Sequence, residues 1–291
     1  MATEHLLQRI KDQKTGVQQV MVYTHTANSV ESRRDALAME EPLEITLNLV
    51  EKDQRVMRSI SITMRTPGQD FELAAGFLYT EGIIHDTNDI RGIEYCGPAI
   101  DGLHNIVKVI LHDEIDVDLQ RLQRHFYTTS SCGICGKSSL DAVEVMGIEA
   151  LNINAPKVSA ALLANLPGIL RKQQAVFDET GGLHAAALFS AEGELLDIRE
   201  DVGRHNALDK LIGAQFLKGN LPGTDKLLLL SGRISFELVQ KALVAGIPII
   251  AAVSAPSSLA LKLAQRFDMT LIGFLRGTRF NVYHGKQRIQ E

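Results

Sequence analysis

The chain has no tryptophan and only 5% aromatic residues, so it has little from which to build the stacking platforms of a single-strand nucleic-acid binder. It also has no excess of positive charge. Its formal net charge is −5, which argues against phosphate-backbone partners in general. Three cysteines in 291 residues cannot form a disulfide framework, and a reducing compartment would keep them as thiols. No apolar run approaches the roughly 18 residues needed to span a bilayer. The strongest stretch, 243–255, is short and interrupted by Gly246 and Pro248. The first 14 residues are mixed polar and charged and carry no apolar signal core. These absences lead to the expectation of a soluble, cytoplasmic protein.

What is present is ordinary globular composition, 45% hydrophobic and 22% charged, in a chain long enough for one large core or two modest ones. Residues 1–40 read as loosely structured. Leu43, Ile45, Leu47 and Leu49 then alternate with polar positions, as do Met57, Ile60, Ile62 and Met64, so two strands are expected. A helix fits 70–80, where Phe71, Leu73, Ala74, Phe77 and Leu78 form an apolar face, and a strand fits 106–111. These features suggest an N-terminal α+β domain over 1–127.

After a connector at 128–150, the remainder alternates strand and helix. A helix is expected over 158–176, kinked or broken at Pro167-Gly168. A hairpin follows over 184–199, turning at Ala191-Glu192-Gly193. Helices then fit 203–211, 236–245 and 257–267, and strands fit 227–230, 247–253 and 270–274. The fold class expected for 151–291 is α/β, three-layered, with a largely parallel sheet.

The connector carries Ser131-Cys132-Gly133-Ile134-Cys135-Gly136 among small and hydroxylated residues, so it reads as a mobile loop. A plain linker rarely needs two thiols. Three uses of Cys-x-x-Cys remain open on the residues alone. A closed zinc site needs four ligands, and no second pair or matching histidine spacing is present. A thioredoxin-type couple normally follows a buried strand, whereas Tyr127-Thr128-Thr129 precedes this one. A carrier thiol suits a flexible arm, and Lys137 nearby would favour its thiolate. Cys96, alone at the edge of a turn, reads as a packing residue.

The loop is followed, in order, by the runs Thr180-Gly181-Gly182-Leu183-His184-Ala185-Ala186-Ala187 and Arg199-Glu200-Asp201-Val202-Gly203-Arg204-His205-Asn206-Ala207-Leu208-Asp209-Lys210. Ser231-Gly232-Arg233-Ile234-Ser235 and Phe274-Leu275-Arg276-Gly277-Thr278-Arg279-Phe280-Asn281-Val282-Tyr283 complete the set. From about residue 40 to 285 the chain resembles the FdhD family, sulfurtransferases needed for active formate dehydrogenase. The resemblance implies that a cysteine desulfurase loads sulfur as a persulfide on Cys132, with Cys135 assisting or resolving. It implies delivery to the molybdenum bis(molybdopterin guanine dinucleotide) cofactor of a molybdenum-dependent formate dehydrogenase, by a homodimer. The cofactor-contacting stretch falls on Phe274, Leu275, Arg276, Gly277, Thr278 and Arg279. Residue chemistry agrees: the segment 269–290 holds Arg276, Arg279, Lys286 and Arg288 and no acid, which suits a dinucleotide's phosphates, although a solvated basic tail has the same composition.

The resemblance also implies a cytidine deaminase-like C-terminal domain. Zinc deaminases use H-x-E on one helix and P-C-x-x-C on the next. Here His205-Asn206-Ala207 aligns with the first and Gly232-Arg233-Ile234-Ser235 with the second, so the acid–base Glu and both cysteines are missing. No zinc and no deamination are expected. Arg204, His205 and Arg233 would converge on the vestigial pocket to meet phosphate or pterin, or else serve as helix caps and salt bridges to Asp201 or Glu200. His184 is either a functional or a core histidine. A cofactor-binding chaperone without sulfur transfer and a thiol–disulfide oxidoreductase remain as alternative functions.

Overall fold

The structure is a computed structural model and describes residues 16–100, 102–117, 148 and 150–291. It begins with an antiparallel hairpin, β1 (Val17–His25) and β2 (Val30–Ala38). The expectation of loose structure up to residue 40 is therefore corrected for 17–38. Almost every side chain of this hairpin is exposed or half-exposed, and 31–35 is a polar and charged run, so the alternation that marks a half-buried strand is missing.

A four-stranded sheet follows, in the order β4-β3-β6-β5. Its members are β3 (Glu41–Glu51), β4 (Gln54–Arg65), β5 (Ile90–Tyr95) and β6 (Ile106–Leu111). Leu43, Ile45, Leu47 and Leu49 of β3 lie on its covered face and are almost wholly buried. Helix α1 (Asp70–Thr80) packs there through Phe71, Leu73, Ala74 and Leu78. On the uncovered side of this mixed sheet, Met57, Ile62 and Met64 of β4 are exposed.

The remaining elements build a larger unit. A short strand β7 (Val158–Ser159) leads into α2 (Ala160–Gln173) and α3 (Ala175–Thr180). Pro167 sits inside α2 without ending it, because Leu163, Leu166 and Leu170 anchor the helix on both sides of the proline. Then come β8 (His184–Ser190), β9 (Leu195–Asp201), α4 (Arg204–Leu217), β10 (Lys226–Leu230), α5 (Phe236–Val244), β11 (Ile249–Ala252), α6 (Ser258–Arg266), β12 (Thr270–Arg276) and β13 (Arg279–His284). A final strand, β14 (Ile289–Gln290), pairs with β7.

The six-stranded sheet runs β13-β12-β11-β10-β8-β9. Leu228 and Leu230 of β10 face α4, α5 and α6, while Leu227 and Leu229 face α2, so helices cover both sides. The sheet is mixed rather than largely parallel: three of its five ladders are antiparallel. Only the helical crossovers through α5 and α6 produce parallel neighbours. The tight turns of the β8–β9 and β12–β13 hairpins reverse the chain.

Helices α1 and α4 join the two sheets at a very close crossing. A Cβ added to Gly76 would lie 1.9 Å from the Asp209 carbonyl oxygen, and one added to Gly213 would lie 1.9 Å from that of Glu72. Buried charges surround this contact. Lys241 Nζ reaches Thr80 Oγ1 at 2.8 Å and Asp209 Oδ1 at 2.9 Å, and Arg199 grips both carboxylate oxygens of Glu72. Phe216 and Leu217 of α4 extend into the core of the four-stranded sheet.

Candidate functional site

Strands β9, β10, β11 and β12 all end on one edge of the main sheet, and β8 begins there with His184 opposite Asp201. Helices α4, α5 and α6 therefore start on that edge too. This is where an open α/β sheet gathers its functional loops.

At the β9 end, Asp201 is completely buried and accepts from the backbone N–H groups of Thr66 and Gly203, from Asn206 Nδ2 and from Lys210 Nζ at 2.7 Å. Those four donors fix the start of α4. Asp201 is thus committed to Lys210 rather than to Arg204. Glu200 is also engaged elsewhere, accepting from the N–H groups of Val176 and Phe177 at the start of α3. The salt-bridge expectation for Arg204 is corrected accordingly. Arg204 makes no ion pair among the described residues, and its buried Nε has no hydrogen-bond partner.

The two deaminase-aligned segments do meet. His205, in the first turn of α4, places Nε2 3.2 Å from the Ser235 hydroxyl, at the residue preceding α5. Burial, reinforced by the positive charges of Arg204 and Lys241, pushes the His205 pKa down to about 4. Its 3.9 Å approach to Glu237 is therefore no ion pair at neutral pH. His184 is likewise pushed down, by burial and then by Arg204. Gly232 lies against both: a Cβ there would sit 3.2 Å from His184 Nδ1 and 3.9 Å from Arg204 Cδ. Arg233 is exposed on the same turn. Among the described residues no three metal-ligating groups converge.

At the β12 end, the predicted cofactor stretch forms the β12–β13 turn. The ladder pairs Gly273 with Asn281 and Arg276 with Arg279, so two residues of β12 oppose one of β13. This bulge holds Phe274 at φ 53°, and the residue is 39% exposed. The Phe274 N–H donates to Ser254 O, and Arg276 Nε donates to Val253 O, fastening the turn to the end of β11. Phe274, Arg276, Thr278 and Arg279 present exposed side chains, and Gly277 makes the turn at φ 53°. Leu275 differs, since its side chain is fully buried in the core under α2. Only its backbone faces the edge.

Cys132 and Cys135, with most of the 128–150 connector, lie outside the described residues. Cys96 is half-buried beside β5, and its N–H donates to Ile106 O. Of the four C-terminal basic residues, Arg288 leaves the set. It is completely buried and donates to the carbonyls of Ala155, Asp268 and Asn152 and to Thr270 Oγ1. Sequence reasoning missed the Asp201 hub and the Asp209–Lys241 pair. The signal available was charge inside α4, whose residues 206–217 are all buried.

The model of the FdhD/NarQ family matches residues 38–290. The chain belongs to that family. Similar relatives named sulfur carrier protein FdhD come from Streptomyces avermitilis, 53% identical over 90% of this chain and 91% of the relative, and Mycobacterium tuberculosis, 48% identical over 91% and 95%. Another, from Sulfolobus acidocaldarius, is 45% identical over 89% and 92%. A crystal structure described as that of a formate dehydrogenase accessory protein from Desulfotalea psychrophila superposes with a TM-score of 0.71. It shares 26% identity and covers 95% of this chain and all of its own. The FdhD/NarQ match thus spans both sheets and the connector between them. No helix among the described residues is long and apolar enough to cross a membrane.

Proposed function

We propose that the chain is a sulfur carrier for formate dehydrogenase maturation, acting as a sulfurtransferase through Cys132 on the molybdenum bis(molybdopterin guanine dinucleotide) cofactor as its substrate. The observation that carries this reading is the similarity, over about nine-tenths of the chain, to relatives named sulfur carrier protein FdhD. In loading, the Cys132 thiolate attacks the terminal sulfur of a cysteine desulfurase persulfide. The desulfurase thiolate leaves and Cys132 retains the outer sulfur. In delivery, the Cys135 thiolate attacks the inner sulfur of Cys132 and expels the outer one as hydrosulfide toward the cofactor. A disulfide remains, which a cellular dithiol reductant reopens.

The chemistry of the β12–β13 turn supports a guanine-nucleotide site there. It offers an exposed aromatic ring for a base and two exposed arginines for phosphate, with no acid between 269 and 290. A cytoplasmic homodimer, with each copy holding one nucleotide arm, completes the reading. So does a zinc-free, deaminase-like arrangement of 151–291, supported by the contact between His205 and Ser235.

Intact-mass measurement after incubation with a desulfurase and cysteine tests the proposal. The expected result is a gain of about 32 Da, one persulfide sulfur, that is lost in Cys132→Ala. No gain, with guanosine diphosphate still bound, would leave a cofactor-binding chaperone. Insulin reduction that needs both cysteines would point instead to a thiol–disulfide oxidoreductase.

A further inference from the structure

Far from the loops of the main sheet, the β1–β2 hairpin carries apolar surface along one of its faces. Met21 and Tyr23 of β1 share that face with Arg34 and Val30 of β2. At its root the face is supported: Gln19 Nε2 donates to Glu179 Oε1 of α3 at 3.1 Å, and Ala36 is buried. Toward the tip the support ends. Met21 is 61% exposed, Tyr23 74% and Val30 59%. A two-stranded hairpin is marginal in water unless its hydrophobic face packs on a further element. At nine residues per strand the hairpin is about 30 Å long, enough to reach across to another molecule.

A second bare surface lies on the uncovered side of the four-stranded sheet. Met57, Ile62 and Met64 of β4 are exposed there, and Glu44 of β3 stands opposite Ile62 in the ladder. The two surfaces match in charge as well as in apolar character. The hairpin face holds no acid, and Arg34 has no hydrogen-bond or ion-pair partner among the described residues. The Glu44 carboxylate likewise has none among the described residues, and Lys108, further along the same sheet face, is already paired with Glu94 at 2.6 Å. Each copy of the chain therefore offers an apolar patch with a spare cation and an apolar patch with a spare anion.

We propose that the β1–β2 hairpin is a clasp between two copies of this chain. Met21, Tyr23 and Val30 of one copy cover Met57, Ile62 and Met64 of the other, and Arg34 meets Glu44. The second hairpin returns the same contact, so the interface is isologous and closed. Two such contacts bury on the order of 1,000 Å² or more, the size of a specific interface. The inference rests on the homodimer included in the function proposed above and names the surfaces that build it. It is independent of the cysteines.

Sedimentation equilibrium of the full chain tests the clasp. The wild type is expected to be a dimer. Arg34→Glu and Glu44→Arg should each weaken the dimer about tenfold or more, because each change acts in both contacts, and the double variant should recover most of the loss. Tyr23→Ser should weaken it as well. All three side chains lie at the surface, and thermal midpoints close to that of the wild type would show that the variants fold. A dimer of unchanged affinity in all three single variants overturns the clasp and leaves the homodimer standing. Weakening by both charge variants that the double variant does not reverse overturns the match of the two surfaces. A wild type that is monomeric at every concentration overturns the clasp and the homodimer together. Sulfur gain at Cys132, read by intact mass on the same samples, reports separately on the carrier function.

Discussion

His205 shows how a single residue ties the site to stability. Its imidazole faces Ser235 and Glu237 from α5, Arg204 on its own helix, Lys241 one turn further along α5 and His184 from β8. Burial dominates and holds the folded pKa near about 4, below the ordinary 6.5. The unfolded chain therefore binds more protons than the folded one between those values, so stability rises with pH across that window. The contribution is fully present above about pH 6.5 and is lost as pH falls toward 4. Urea midpoints measured at pH 7 and pH 5 should drop for the wild type and drop less for His205→Gln. Equal losses would assign the acid sensitivity to other groups.

The helices show where sequence patterns suffice and where they stop. The apolar stripe of α1 marked 70–80 and the β-branched run of β6 marked 106–111, and both elements have those bounds. By contrast β13, an edge strand with no fully buried side chain, is short and its alternation covers only 279–282, so the Phe274 stretch read as a strand end rather than a bulged hairpin. Nor does periodicity disclose that α1 and α4 touch through glycines. Gly76→Ala would ordinarily strengthen a helix, yet here its Cβ meets the Asp209 carbonyl, so a loss of about 1–3 kcal/mol or more is expected. Gly168→Ala in α2, with nothing within 4 Å of its Cβ, should gain up to about 1 kcal/mol. Thermal midpoints of the two variants should move in opposite directions. A neutral or stabilised Gly76→Ala would mean that the crossing is looser than described.

For the whole molecule, the same crossing decides whether the four- and six-stranded sheets behave as independent units. The sequence suggested a division near the Cys-x-x-Cys connector, because composition changes there and local patterns carry no information on contacts between distant segments. The contacts that matter are 120 or more residues apart: Arg199 with Glu72, Lys241 with Thr80, Lys210 with the Thr66 carbonyl, and Asn206 with the Met64 carbonyl. Unfolding the N-terminal sheet alone would expose α4 and take Glu72 from Arg199, the Thr66 carbonyl from Lys210 and Thr80 from Lys241, while Asp197, Asp201 and Asp209 stayed with them. Each lost hydrogen bond to a charged group costs about 1.5–3 kcal/mol. Partial unfolding is thereby disfavoured relative to loss of both halves together. Scanning calorimetry should give one transition, with calorimetric and van't Hoff enthalpies in agreement despite the chain's length. Two resolved transitions would show that the contacts of Glu72, Thr66 and Thr80 with Arg199, Lys210 and Lys241 contribute too little to couple the sheets.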